Sequence, residues 1–453
     1  MKTNLSSQIK LDRIPRRYYN PDSEIELTAL RRQEKIDTRV YETAGEGADF
    51  IVEKIAKYIA RFIERRGKCV LALGAGNSTH IVYNALIKKY KEGVIDFDKV
   101  VVFNISEFFP LRPDGPSTLT RLHQVFLDQV NVRPENIHSI DPATTKEAMS
   151  EYCNAYEQQI ADEGGIDVAL CEIAPNGAIA FNEPGSQPTS YCRLVLLGNE
   201  MRHKVEKDYN CDDVPTTAIT LGLSNFISAR RLLCMAWGEN NANIIKEVVE
   251  GPATNAVPAS LLQGHPHVKV VTDLAGAEEL TRISQPWKVT SCDWNDKLMR
   301  RAIVWLSNQT GKPILKLTDK DYNDWGLGEL LALYGSAYNV NIKIFNDLQH
   351  TITGWPGGKP NADDTYRPER ATPYPKRVIV FSPHPDDDVI SMGGTLKRLV
   401  DQHHDVHVAY ETSGNIAVGD EDMMRYFLMM DKIAPMFGFD TDGYRKLSGE
   451  VQG

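Results

Sequence analysis

Cys69-Val-Leu-Ala-Leu-Gly-Ala-Gly-Asn-Ser-Thr79 reads as a strand, a tight turn and the start of a helix. The run Cys69-Val-Leu-Ala-Leu73 is short and apolar, as a buried strand requires, and Ile81-Val-Tyr-Asn-Ala-Leu-Ile87 carries apolar residues at helical spacing. Gly74 and Gly76 permit the tight turn between them. A strand that passes through such a turn into a helix leaves backbone N–H groups free at the helix start, where they can hold an anion. Gly76, Asn77 and Ser78 are therefore candidate phosphate-binding residues, with Ser78 either capping the helix or touching a phosphate oxygen. A tight turn without a ligand is the competing reading.

The same alternation extends outward. Val100-Val-Val-Phe-Asn104, Ile166-Asp-Val-Ala-Leu170, Leu232-Leu-Cys-Met-Ala-Trp237 and Val268-Lys-Val-Val-Thr272 read as further strands separated by helical stretches. This predicts an α/β, Rossmann-like domain over residues 46–285, with a parallel or mostly parallel sheet covered on both faces. Residues 1–45 are polar and read as an arm. Their basic cluster Arg13-Ile-Pro-Arg-Arg17 is a solvated segment or a subunit contact. Residues 286–375 read as a helical connector, with helices near Trp294 to Asn308 and Gly326 to Tyr338, followed by a linker rich in Pro and Gly from Gly354 to Pro375. The aromatics between Trp294 and Trp305 have helical separation and suit a core. A second, partial Rossmann-like α/β domain occupies 376–453, with strands near Val378 and Val406.

Bulk properties restrict the function. The 453 residues suffice for two or three domains, and the formal net charge of −10 disfavours nucleic acid or an anionic membrane as partner. The seven cysteines include no C-x-x-C pair, and no signal peptide or membrane-length apolar run is visible, which predicts a cytoplasmic protein with reduced thiols.

Phe381-Ser-Pro-His-Pro-Asp-Asp-Asp388 places an imidazole and three carboxylates after the apolar run Lys376 to Phe381, where α/β folds put chemistry. His384 and Asp387 are N and O donors that zinc accepts, and Asp386 is free to act as base on a metal-bound water. A polar cap on the strand end is the alternative. This stretch resembles the zinc motif of LmbE/PIG-L-type N-acetylglucosaminyl deacetylases. The resemblance implies His384 and Asp387 as ligands and Asp386 as base, with Asp388 where the family usually has Glu. The family's remaining His ligand has no counterpart, because no histidine follows His407, and His403, His404 and His407 are poorly placed substitutes. The zinc site is thus expected to be incomplete, and a working deacetylase to need more polypeptide. His265 and His267, spaced for a metal, read instead as a loop entering a strand.

Phe103-Asn-Ile-Ser-Glu-Phe108, Asn176-Gly-Ala-Ile-Ala-Phe-Asn-Glu-Pro184 and the stretch from Trp237 to Gly251 follow the Gly-rich turn in order. Together the four resemble the glucosamine-6-phosphate deaminase family over roughly Tyr41 to Arg282. The resemblance implies a small-molecule sugar-phosphate ligand, a homo-oligomer, no cofactor, and a mechanism that moves a proton with a carboxylate and opens the ring with a His. The positions implied for these groups hold Ser106 for the base, Ala178 for the His and Asn176 for its neighbouring acid. Glu183 survives, and Glu107 beside the vacant base position is a candidate replacement. Asn241 stands at the usual phosphate Lys, and Lys207 lies near a family Arg. An effector pocket would retain Ser186 and Arg193 but has Val195 in place of Lys; an ordinary loop contact explains the same pair. Two functions follow as expectations: amino-sugar phosphate chemistry with impaired or altered catalysis, or a sugar-phosphate sensor or scaffold without turnover.

Overall fold

The structure is a computed structural model and describes residues 14–112, 115–140, 145–211, 213–349, 376–413 and 419–438. Contacts divide the chain into two units, residues 1–294 and 295–453. In the first, chain order gives β1 (Asp37–Tyr41), β2 (Cys69–Leu73), β3 (Val100–Asn104), β4 (Ser106–Phe109), β5 (Ile137–His138), β6 (Val168–Glu172), β7 (Arg193–Leu196), β8 (Thr217–Thr220), β9 (Arg231–Ala236) and β10 (Val268–Asp273). Seven of these strands form one sheet in the order β1-β10-β9-β6-β2-β3-β5, paired in parallel throughout. The sequence reading did not resolve the small antiparallel sheet β4-β8-β7 beside it.

The central strands are apolar on consecutive residues because both sheet faces are covered. Val70 and Ala72 join Val101, Phe103, Ala169 and Cys171 in one apolar cluster, whereas Leu71 and Leu73 join Val100, Val102, Val168 and Leu170 in the other. The helices are α1 (Glu24–Leu30), α2 (Ala44–Arg66), α3 (His80–Lys91), α4 (Thr118–Val125), α5 (Met149–Asp162) and α6 (Asn199–Tyr209), followed by shorter ones. Ile51 and Ile55 of α2 and Val82 and Leu86 of α3 pack on the second cluster; Tyr156 and Ile160 of α5 pack on the first. α2 starts where the Thr43 side chain accepts the Glu46 N–H and stops at Gly67, whose φ of 77° is open to glycine.

The expected N-terminal arm is, over its described residues, part of this unit. Tyr18, Tyr19, Leu27, Leu30 and Ile36 are buried, and β1 is the edge strand of the large sheet. Fully buried Arg282 secures the segment: its guanidinium donates to Tyr19 O at 3.3 Å and Thr38 O at 3.0 Å, and its Nε lies 3.0 Å from Glu34 Oε1. Arg17 pairs with Asp293 at 2.8 Å, so this member of the basic cluster has a partner within its own unit. Arg13 lies outside the described residues.

The second unit opens with helices at Asp296–Thr310, Asp319–Asp324, Gly328–Tyr334 and Ala337–Gln349. The linker expected between Gly354 and Pro375 lies outside the described residues. β11 (Arg377–Ser382) and β12 (Asp405–Tyr410) pair in parallel with the helix Asp387–Asp401 between them in sequence. β11 is less buried than its composition predicts: Val380 is inside, but Ile379 and Phe381 are 56% and 66% exposed. No helix among the described residues is long and apolar enough to cross a membrane.

Candidate functional site

β2 connects through α3 to β3 on one side, while its other neighbour, β6, lies beside β9, so the chain departs in opposite directions from the β2–β6 junction. Beyond the carboxyl ends of these strands lies a cavity of about 80 Å³, lined by Gly74, Gly76, Ser106, Glu172, Lys204 and Asp208 among polar and turn positions, and by Ile105, Phe181 and Met201 among apolar ones. The Gly-rich turn thus sits where an α/β sheet presents its ligands.

Its amide groups already face a carboxylate. Glu172, the last residue of β6, accepts the Ser78 N–H on Oε2 at 3.3 Å, and a Cβ at residue 76 would stand 2.1 Å from that same oxygen. The carboxylate thus packs directly on Gly76, and any side chain there would have to push the end of Glu172 aside. Glu172 Oε1 lies 2.8 Å from Lys204 Nζ; Lys204 also pairs with Asp208, and Asp208 Oδ1 accepts from Asn77 Nδ2 at 2.6 Å. The polar chain Ser78–Glu172–Lys204–Asp208–Asn77 closes back on the turn and ties α6 to it. Burial pulls the Lys204 ammonium down, but the two carboxylates outweigh burial and hold its pKa above the ordinary lysine value.

The other expected residues divide sharply. Ser106 lines the cavity beside Gly76. Glu107, the candidate replacement base, points elsewhere: 1% exposed, it accepts the N–H groups of Phe108 (2.8 Å), Thr118 (2.9 Å) and Leu119 (3.0 Å) and the Ser117 hydroxyl (2.9 Å), which makes it the anchor of the α4 N-terminus. Ala178 is buried among Phe108, Phe181 and Leu197. Asn176 lies 3.5 Å from Glu183, whose carboxylate accepts the Gly198 N–H at 2.9 Å; burial raises the Glu183 pKa. Lys207 is exposed and does not line the cavity; Lys204, one turn earlier, does. Asn241 donates to Trp237 O at 2.7 Å, and Trp237 Nε1 to Ser78 O at 3.0 Å. Arg193 donates to Ser186 Oγ at 3.2 Å and to Asn182 Oδ1 at 2.9 Å, so the pair expected to form an effector pocket is joined directly.

Sequence reading missed Glu172 and Lys204. A signal for Lys204 was present: Met201 and Val205 mark the buried side of α6, and position 204 shares that side whereas 207 does not. Glu172 carries a weaker signal, an acid at the carboxyl end of an apolar strand.

In the second unit, His384 Nδ1 lies 3.1 Å from Asp387 Oδ2, so one N and one O donor converge. Asp388 instead turns inward, its N–H donating to Ser382 Oγ at 3.1 Å. Among the described residues no group of three or more His, Cys, Asp or Glu is arranged for a metal. His404 accepts the Lys376 N–H at 3.1 Å and His407 pairs with Asp405 at 3.0 Å, so neither joins His384. The two donors among the described residues fall short of the three protein ligands a catalytic zinc takes. His265 hydrogen-bonds Ala229 O at 2.7 Å through Nε2 and accepts the His267 N–H at 3.0 Å, a structural role.

Comparison with known proteins agrees with this geometry. The family model described as glucosamine-6-phosphate isomerases/6-phosphogluconolactonase matches residues 42–271, and that of GlcNAc-PI de-N-acetylase matches 379–433. A putative glucosamine-6-phosphate deaminase-like protein of Bacteroides thetaiotaomicron is 56% identical over 98% of this chain and 67% of its own length. A glucosamine-6-phosphate deaminase of Thermoanaerobacter pseudethanolicus is 34% identical over 50% of this chain and 89% of its own. The solved structure of a monomeric glucosamine-6-phosphate deaminase superposes with a TM-score of 0.51 at 25% identity, covering 54% of this chain and all of that one. With a matched family model over half its length and a parallel sheet whose Gly-rich turn opens on the switch-point cavity, the chain belongs to the glucosamine-6-phosphate isomerase/6-phosphogluconolactonase family.

Proposed function

We propose that the first unit is a non-catalytic member of its family, serving amino-sugar metabolism beside a deacetylase-like module without deaminating glucosamine 6-phosphate. The observation that carries this reading is the fate of Glu107. The positions implied for proton transfer hold Ser106, Ala178 and Asn176; Glu107, next in sequence, is consumed by four hydrogen bonds at the start of α4, and the cavity carboxylates Glu172 and Asp208 are both held by Lys204. An alkyl hydroxyl is not a useful base near neutrality and alanine carries no proton, and each lost acid–base group costs about 10²–10⁴-fold in rate. Glu183 alone cannot supply both proton movements. The test is ammonia release from glucosamine 6-phosphate by the full chain. No release above that of Glu183→Gln is expected; turnover abolished by Glu183→Gln or Glu107→Gln would overturn the reading. A cytoplasmic location and assembly into a homo-oligomer belong to the same proposal, the latter checked by light scattering.

A further inference from the structure

The Gly-rich turn makes a seat for an anion, and the protein supplies the anion itself. We propose that Glu172 is a specificity-determining residue whose carboxylate occupies the phosphate seat at the start of α3 and bars phosphorylated sugars from the cleft. This rests on reading the cleft as the family's sugar-phosphate site and goes beyond the loss of catalysis. Three observations support it. First, Glu172 Oε2 takes the Ser78 N–H at 3.3 Å and lies so close to residue 76 that a Cβ would meet it at 2.1 Å, leaving no room for a phosphate oxygen against the same backbone. Second, Lys204, the one cationic side chain lining the cavity among the described residues, is already shared by Glu172 and Asp208. Two carboxylates against one ammonium leave the cavity lining net negative; the Arg121 guanidinium binds outside it, on Asn77 Oδ1 and Asp208 O, so a phosphate dianion against Gly76 would meet the Glu172 carboxylate first. Third, the remaining space of about 80 Å³ is below the several hundred Å³ of ordinary small-molecule sites, so entry would require displacing the Glu172 side chain.

Isothermal titration of the full chain with inorganic phosphate and with glucosamine 6-phosphate tests the proposal, using the wild type, Glu172→Gln and Glu172→Gly. Glu172→Gln keeps the shape and removes the charge, whereas Glu172→Gly opens the seat and frees Lys204. Both variants should bind phosphate at least about tenfold more tightly than the wild type. The gain should vanish when Lys204→Met is added. Saturable wild-type binding as tight as that of the variants, or folded variants that gain nothing by titration, overturns the proposal. Should Glu172→Gly not fold, Glu172→Gln and the wild-type isotherm decide it. Phosphate binding by the wild type without ammonia release would sink this inference while leaving the non-catalytic reading intact; ammonia release is what sinks the latter.

Discussion

Glu107 shows how a residue can keep the chemistry of a catalyst and lose its position. It stands next to the cavity in sequence, yet β4 alternates its side chains, so Ser106 faces the cavity and Glu107 faces α4. Its acceptor role is structural: Glu107→Ala would strand buried N–H donors at Phe108, Thr118 and Leu119, and urea unfolding should report a loss of about 1–3 kcal/mol. Glu107→Gln should cost less, because one amide oxygen still accepts. His384 presents the opposite case, a ligand type that lies 3.1 Å from Asp387 but, among the described residues, has no third metal-ligating group beside it. Zinc added to the full chain should be lost on dialysis, with His384→Ala indistinguishable from wild type by metal analysis.

The N-terminal elements depend on one buried guanidinium. Arg282 reaches Tyr19, Glu34 and Thr38, which precede α2, and so joins the ends of the first unit. Arg282→Leu would leave Glu34 and two carbonyls without their donor in the interior, and should destabilise the unit by about 3–5 kcal/mol in denaturant titration. Glu34 adds a pH dependence. Burial pushes its carboxyl up to about 7, outweighing the pull of Arg282 and Arg31. A carboxyl raised in the folded state keeps a proton that the unfolded chain has released. Its stabilisation is therefore complete below the ordinary value of 4.5 and is lost as pH rises through about 7. Between about pH 5 and 7 the wild-type denaturation midpoint should fall relative to that of Glu34→Gln.

Across the molecule, the two units differ in how completely they enclose their apolar residues. The first holds buried clusters on both faces of its large sheet and a further one around Phe108 and Phe181, and Arg282 and the Arg17–Asp293 pair pin its N-terminal segment. Residues 1–294 expressed alone should therefore fold, with a cooperative unfolding transition and a near-ultraviolet dichroism spectrum of native type. In the second unit, by contrast, β11 exposes Ile379 and Phe381, and the helix Asp387–Asp401 exposes Val389 and Ile390.

The parallel sheet was legible because doubly covered strands must be apolar on consecutive residues, and Cys69–Leu73, Val100–Phe103 within β3 and Leu232–Ala236 within β9 are such runs. The Gly-rich turn was legible for a local reason as well, since a tight strand-to-helix turn leaves a mark on the residue type. Segments whose burial comes from distant partners left no such mark. β1 looks polar because, as Asp37-Thr-Arg-Val-Tyr41, it is an edge strand with intermediate residues alternating with buried ones, and its burial depends on β10 and Arg282, more than two hundred residues away. The contents of the cleft were decided in the same way. Nothing local to Glu172 or Lys204 indicates that they meet, and only the packing of α6 over the ends of β2 and β6 brings their charges together on the turn.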